Sequence, residues 1–520
     1  MTDVLVIAAY FTLILGVGLW MSRGRKSLLG FALGNRRTPW WAVLASILAA
    51  EISAATFLGA PESGYSLGNW TYAQFAIGTV MARIIVSFIF IPVYYKHGVV
   101  SLYEYLGTRF GPRTRHWASG TFLVTRVLAM GTRLYVSAII IVLAWQIWRG
   151  ETIGPAEKFW IFGGAVVLVT LLTAVYTTAG GIRAVIWTDF IQVGVLACAL
   201  CFSIWFLLSK LPHGWTTATE NMQAPLFFNF AKPGVPGAAA WLRNILTSDY
   251  TIWAALIGST FVTMASHGID QDTVQRMLTA KNRGESAKAA ILSGIVDLPI
   301  VTSFILVGIL VSAFYKTSGV SLPSDVAPRE AFPYFILTQM PAGMRGLVIA
   351  GILATAMGSL STALNALATS FARDFALPRR EVHGALSEAE RVRILRWSTV
   401  GFAALIIVVG LVTAFYMAND PGAAIIPLVL GILGYTFGSL LAVFLVAVFT
   451  KSRGNDTGNV IAMICGFLSV VIFSSADIQR FFHIPVLVLA FPWRITLGTF
   501  VTFFVAISFP SYDFESPRTS

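Results

Sequence analysis

Apolar runs of roughly 20 residues recur along the whole chain, separated by short polar or Gly- and Pro-containing turns. That is the length a helix needs to cross a bilayer, about 20 residues. Thirteen runs qualify: 4–22, 39–60, 70–94, 118–147, 158–177, 184–208, 248–269, 287–313, 346–371, 396–417, 422–449, 456–476 and 484–508. They predict an all-α polytopic membrane protein. Two connecting segments are longer, 209–247 with Pro212, Pro225, Pro233 and Pro236, and 314–345 with Pro323, Pro328, Pro333 and Pro341. Both are too short for a domain but long enough to cover a vestibule. The charged segment 373–396 contains Ser387-Glu388-Ala389-Glu390, a sound helix start.

Polar residues interrupt several of these runs. Segment 48–59 reads Leu-Ala-Ala-Glu-Ile-Ser-Ala-Ala-Thr-Phe-Leu-Gly, with Glu51, Ser53 and Thr56 in mid-span. An acid at the bilayer centre costs about 2.5–3.5 kcal/mol on insertion scales, so it faces a protein interior or a watery cavity. Small and hydroxylated neighbours let helices approach closely and let backbone groups address an ion where a helix breaks. A packing helix with one satisfied acid fits the segment equally well. Segment 354–365 holds Thr355, Ser359 and Thr362 on one face and Ser361 and Asn365 on the next stripe. Their hydroxyls are hard oxygen ligands suited to Na+, or else a helix-packing seam. Segment 248–269 ends in Thr263, Ser266, His267 and Gly268, a second candidate interruption, and interrupted helices in two halves of a chain point to a transporter's central site. His267 reads as a helix-end hydrogen-bonding residue, since no Cys or His stands at ligand spacing.

Asp189 follows Gly180-Gly181, a tight turn, and either lines an ion's exit path or pairs with Arg183. Arg83, Arg126 and Arg133 lie within spans, against three intramembrane acids, Glu51, Asp189 and Asp297. Pairing with acids is the reading for Arg83 and Arg126; Arg133 is equally able to bind a solute carboxylate.

Composition narrows the class further. With 56% hydrophobic and 12% charged residues and mean hydropathy +0.76, the chain is no soluble enzyme. Its net charge of +12 is topological: with Lys158, Lys288 and Arg396 at span ends counted with the adjoining loops, 23 of the 36 Lys and Arg fall on the side of the first loop, 9 opposite and 4 within spans. The positive-inside rule then puts the N-terminus outside and the C-terminus in the cytoplasm, in the cell (inner or plasma) membrane, and excludes nucleic acid as the partner. Cys198, Cys201 and Cys465 all lie in apolar runs and read as buried thiols. Residues 1–22 lack a basic n-region and a cleavage site, so they read as a retained first span.

Together these motifs resemble the sodium:solute symporter family, whose members carry sugars, proline, pantothenate, sialic acid and monocarboxylates. The likeness rests on 34–41 with 49–59, 101–106 with 109–111, 180–192, 270–276, 332–335, 354–365 and 434–438. It implies a five-plus-five inverted repeat of the leucine-transporter type, with one helix before it and two after. The corresponding division is 1–38 for the first helix and loop, 39–208 and 248–449 for the two halves, 209–247 for an outer segment, and 450–520 for two helices and a cytoplasmic tail. By resemblance, a Na+ site would use the carbonyls of Ala49, Ile52 and Thr355 with positions 358 and 359. Ser359 keeps its hydroxyl, but Gly358 stands where the family usually has Ser, so one ligand is missing. A second Na+ site would fall on Asp189, Ser361 and Thr362. The solute would meet Glu51, Ser53, Thr56, Gln74, Arg133, Thr263 and Ser266. Where sugar carriers place a Glu-Gln pair the chain has Ala55-Thr56, which favours an organic anion.

The expected function is secondary active Na+-coupled symport of a small organic solute, with Na+ as coupling ion and no cofactor. H+ coupling through Glu51, motivated by Gly358, is the alternative within the class. A solute sensor is another, though only about a dozen residues follow the last span, few for an output domain. An enzyme lacks a nucleophile–base set.

Overall fold

The computed structural model describes residues 1–23, 27–151, 153–221, 227–230, 237–324, 326–419 and 425–511, the side chains of 54, 55, 221 and 425–431 aside. Arg25, Lys26, Pro225, Pro233, Pro236 and the tail 512–520, all used in the topological reading, lie outside the described residues.

Helices dominate, and the described residues include no strand beyond two isolated bridges. In chain order the principal ones are α1 (Thr2–Met21), α2 (Trp40–Glu51), α3 (Ala54–Leu67), α4 (Phe75–His97), α5 (Pro112–Arg149) and α6 (Pro155–Lys210). There follow α7 (Ala254–Ile269), α8 (Gln271–Met277), α9 (Arg283–Thr317), α10 (Met344–Phe371), α11 (Glu388–Asn419), α12 (Ile425–Phe449), α13 (Asp456–Ser474) and α14 (Phe491–Ser508). Among the described residues ten helices are long and apolar enough to cross a membrane, and α2 with α3 makes a further span bent by 62°. Straight, the 56 residues of α6 would reach roughly 80 Å, far beyond a hydrocarbon core of about 30 Å. It divides at Gly181, whose φ of 60° and ψ of −153° are not helical. A β-carbon there would lie 2.6 Å from the Phe31 carbonyl oxygen, so the turn needs glycine. The two arms correspond to the spans read at 158–177 and 184–208.

Three expectations are corrected. The interruption after α7 falls at Asp270 (φ −88°, ψ 119°), not at Gly268. Gly268 stays helical and its carbonyl accepts from Tyr94 Oη at 2.5 Å, whereas Asp270 caps α8 by accepting from the Asp272 amide at 3.0 Å. The last span begins at Phe491 and not near 484, because Pro485 disfavours helix in the residue before it. Cys198 and Cys201 are exposed on the outer face of α6, and Cys465 is half-buried, so the thiols are not core residues.

The capped start at Ser387 is present: its hydroxyl accepts from the Glu390 amide at 3.3 Å while Glu390 Oε2 accepts from the Ser387 amide at 2.8 Å. Helix α10 runs through the centre, buried at nearly every position from Gly346 to Ser370, as expected of a helix apolar or small on every side. It packs on α6, α5, α1 and α2. The second half of the broken span, α3, lies backbone against backbone on α9. A β-carbon at Gly64 would stand 2.1 Å from Ile305 O, and one at Gly308 1.9 Å from Pro61 O. Small residues permit this approach where the bilayer supplies no hydrophobic drive.

Candidate functional site

The site is built on the break between α2 and α3. Ile52 and Ser53 leave the helical region (φ −77°, ψ 90°; φ −91°, ψ 169°). The Ser53 amide donates to Glu51 O at 3.0 Å rather than back to Ala49 O, which frees the Ala49 carbonyl from the helical ladder. Arg83 of α4 holds the break in place. It pairs with Glu51 and donates to Ser293 Oγ of α9 at 2.6 Å. Ser266 Oγ lies 2.9 Å from His267 Nδ1, and His267 Nε2 is 4.0 Å from Glu51.

Above the break lies a cavity of about 540 Å³, within the range of about 300–1,000 Å³ usual for small-molecule sites. Of the solute-site residues read from the sequence, Glu51, Ser53, Thr56, Arg133, Thr263 and Ser266 line it, and Ile52 joins them. Gln74 does not. Its amide donates to Tyr250 O at 3.0 Å and accepts from the Asn229 amide at 3.4 Å, the second bond tying down segment 209–247. That segment also stacks Phe227 on Trp70 at 5.7 Å. Sequence reading missed Glu62, Tyr72, Thr79, Asp297 and Tyr250, which also line the wall. Only Asp297 carried a signal, as an acid inside a span. Thr79 and Thr263 hydroxyls meet at 3.3 Å across α4 and α7.

Arg126 and Arg133, seven residues apart on α5, have different fates. Arg126 pairs with Asp270 and, at 3.4 Å, with Asp272, not with any of the three acids expected for it. Arg133 makes no ion pair among the described residues, and its Nε has no hydrogen-bond partner. Its guanidinium therefore stands in the cavity wall uncommitted.

Behind the break, α10 and the second arm of α6 bring further oxygens together. Ser359 Oγ donates to Ala50 O at 3.3 Å. A β-carbon at Gly358 would lie 3.1 Å from Ala49 O. Thr355 Oγ donates within α10 to Ile352 O at 2.7 Å, which leaves its carbonyl as the group the resemblance assigns. One turn further, Ser361 and Thr362 hydroxyls donate to Gly358 O at 3.1 and 3.0 Å. Asp189 is fully buried and accepts from Ser46 Oγ of α2 at 2.5 Å. Its other oxygen has no partner, and Ser361 is its nearby hydroxyl on α10. Arg183 is exposed, so the alternative Asp189–Arg183 pair is not formed. Below, Arg276 joins Asp272 at 3.2 Å and Ser46 O at 2.9 Å, and with Arg126 these close the end of the bundle away from the cavity.

Carbonyls released at a helix break, hydroxyls facing them, and a solute-sized cavity alongside define a secondary transporter, in which cation and solute share one mid-membrane site. The model of the sodium:solute symporter family matches residues 31–466. The sodium/sialic acid symporter NanT of Aliivibrio fischeri is 28% identical over 481 residues, covering 91% of this chain and 88% of its own. The sodium/sialic acid symporter SiaT of Proteus mirabilis is 28% identical over 486 residues, covering 92% and 90%. Human sodium-coupled monocarboxylate transporter 1 is 26% identical over 475 residues, covering 89% and 72%. Among solved structures, a substrate-bound, outward-open Na+-coupled sialic acid symporter superposes with a TM-score of 0.79 at 23% identity, over 98% of this chain and 97% of that one.

The chain belongs to the sodium:solute symporter family. It is a multi-pass membrane protein of the leucine-transporter fold type and a Na+-coupled symporter, a carrier and not an enzyme. H+ coupling and solute sensing are not favoured, and Glu51, committed to Arg83, is not the free acid that proton coupling needs.

Proposed function

We propose that the carrier imports a small, polyhydroxylated organic acid across the cell (inner or plasma) membrane, with the N-terminus outside and the C-terminus cytoplasmic. One observation carries the choice of an anion, the guanidinium of Arg133 in the cavity wall without an acid partner. A planar fork of donors suits bidentate binding of a carboxylate. Hydroxyls of Ser53, Ser63, Tyr72, Ser259 and Thr263 line the same space and suit a solute rich in hydroxyls. Relatives named as sialic acid symporters support the same chemistry. Asp297, in the same wall, would accept from a hydroxyl or an amide.

In this reading Na+ binds between the break and α10, at the carbonyls of Ala49, Ile52 and Thr355 and the side of α10 formed by Gly358 and Ser359. A second Na+ takes Asp189, Ser361 and Thr362. The cavity opens toward the ends of α3 and α14, which the charge bias assigns to the outside, while Arg126, Asp270, Asp272 and Arg276 close the inner end. Na+ stabilises this outward arrangement and the broken helix, the solute binds beside it, and the bundle then opens inward. Each ligand shifts the populations only by its differential affinity for the two states. Segments 39–208 and 248–449 are the two inverted repeats in this reading.

The test is uptake by purified protein in liposomes under a Na+ gradient, with sialic acid, short monocarboxylates, neutral sugars and amino acids as probes. Concentrative uptake of acids, competed by other acids, is expected. Uptake of a neutral sugar that carboxylates do not compete would overturn the proposal.

A further inference from the structure

Gly358 leaves a gap in the proposed Na+ site, and one buried side chain is aimed into it. Gln192 lies three residues after Asp189, on the same face of the second arm of α6. It is 2% exposed. Neither of its amide atoms makes a well-formed hydrogen bond; the Tyr10 and Tyr176 hydroxyls stand close enough to interact with the amide without satisfying it. Its Oε1 would stand 2.9 Å from a β-carbon at Gly358, the point that is also 3.1 Å from Ala49 O. Two oxygens, one of them a freed carbonyl, thus flank space that any larger residue at 358 would fill. A buried amide with no partner is costly, and a dehydrated cation is a partner that its oxygen can satisfy.

We propose that Gln192 supplies an oxygen ligand to Na+ in place of a side chain at position 358, and that Gly358 is what admits it. The inference rests on the reading that Na+ binds between the break and α10. Glutamine reaching from α6 and glycine on α10 then form one reciprocal unit. A serine at 358 would bring its β-carbon within 2.9 Å of Gln192 Oε1 and push that oxygen out of the gap, and its hydroxyl would replace it once Gln192 is shortened.

The experiment is Na+ titration of thermal stability and of solute uptake, for wild type, Gln192→Ala, Gly358→Ser, the double variant and Gln192→Glu, with Li+ in parallel. Loss of one ion–dipole contact is expected to raise half-saturating Na+ roughly tenfold in Gln192→Ala and to change the Na+/Li+ preference. Gly358→Ser alone, crowded against Gln192, is also weakened. The double variant returns to within about threefold of wild type, which independent packing losses would not do. Gln192→Glu keeps the oxygen and is expected to hold or lower the half-saturating Na+. Wild-type Na+ dependence in Gln192→Ala, double-variant losses that simply add, or weakened binding in Gln192→Glu would each overturn the proposal. If wild type itself shows no Na+ dependence, the underlying site reading fails, a result the wild-type arm reports separately.

Discussion

Replacing Arg133 by Gln removes the guanidinium while keeping much of the side chain's length. No acid pairs with Arg133 among the described residues, so the change strands no buried charge, and the melting temperature should move little. What is lost is a charge-assisted bond to the solute. Hydrogen bonds to charged groups contribute about 1.5–3 kcal/mol, and 1.4 kcal/mol is a factor of ten. The concentration of a carboxylated solute at half-maximal uptake should therefore rise about 10- to 150-fold. Arg133→Lys should fall between, because an ammonium keeps the charge but not the fork. Na+-induced stabilisation without solute should be unchanged in both, since Arg133 faces the cavity and not α10. The assay is competition in proteoliposomes between a labelled acid and a paired unlabelled acid and amide. Wild type should prefer the acid strongly and Arg133→Gln should not. Equal discrimination by the two proteins would refute the role given to Arg133.

Further outcomes follow from the packing and the charges. Gly308→Ala would put a β-carbon 1.9 Å from Pro61 O, so thermal unfolding should show a loss of about 1–3 kcal/mol and α3 should shift off α9; an unchanged melting curve would contradict the backbone contact. Arg126→Ala breaks a buried pair with Asp270, worth about 3–5 kcal/mol when one partner is removed, and hydrogen exchange across 270–277 should rise even with Na+ bound. If two Na+ accompany a monovalent anion, one net charge moves inward, worth about 2.3 kcal/mol per 100 mV. An inside-negative potential should then stimulate uptake in wild type but not in Asp189→Asn, and indifference in wild type would remove the second ion.

Much of the site was legible because the bilayer is an unforgiving solvent. Glu51, Ser53 and Thr56 stood out in an apolar run, and the helix does break at 52–53. The hydroxyl stripe of 355–362 pointed to a helix that proves central and faces that break. Pairings between distant segments were not legible. Arg126 chose Asp270 over the mid-span acids because the interruption after α7 falls at Asp270, two residues later than Gly268 suggested. Gln192 carried a signal only in its spacing from Asp189; its aim at Gly358 depends on how α6 and α10 cross. Gln74 looked like a solute ligand, yet its amide is taken up by Asn229, in a segment without periodicity, and by the carbonyl of Tyr250. The cysteines misled because a lipid-facing surface and a protein core have the same composition, and only packing separates them.

The most direct test of a cation held between residue 50 and residue 360 is a Na+ titration of thermal stability, without solute, in wild type and Ser359→Ala. Wild type should be stabilised by Na+ but not by K+, and Ser359→Ala should need about tenfold more Na+ for the same shift, the loss of one oxygen contact. Identical titrations for the two proteins would mean that the ion, wherever it binds, is not held where α10 meets the broken helix.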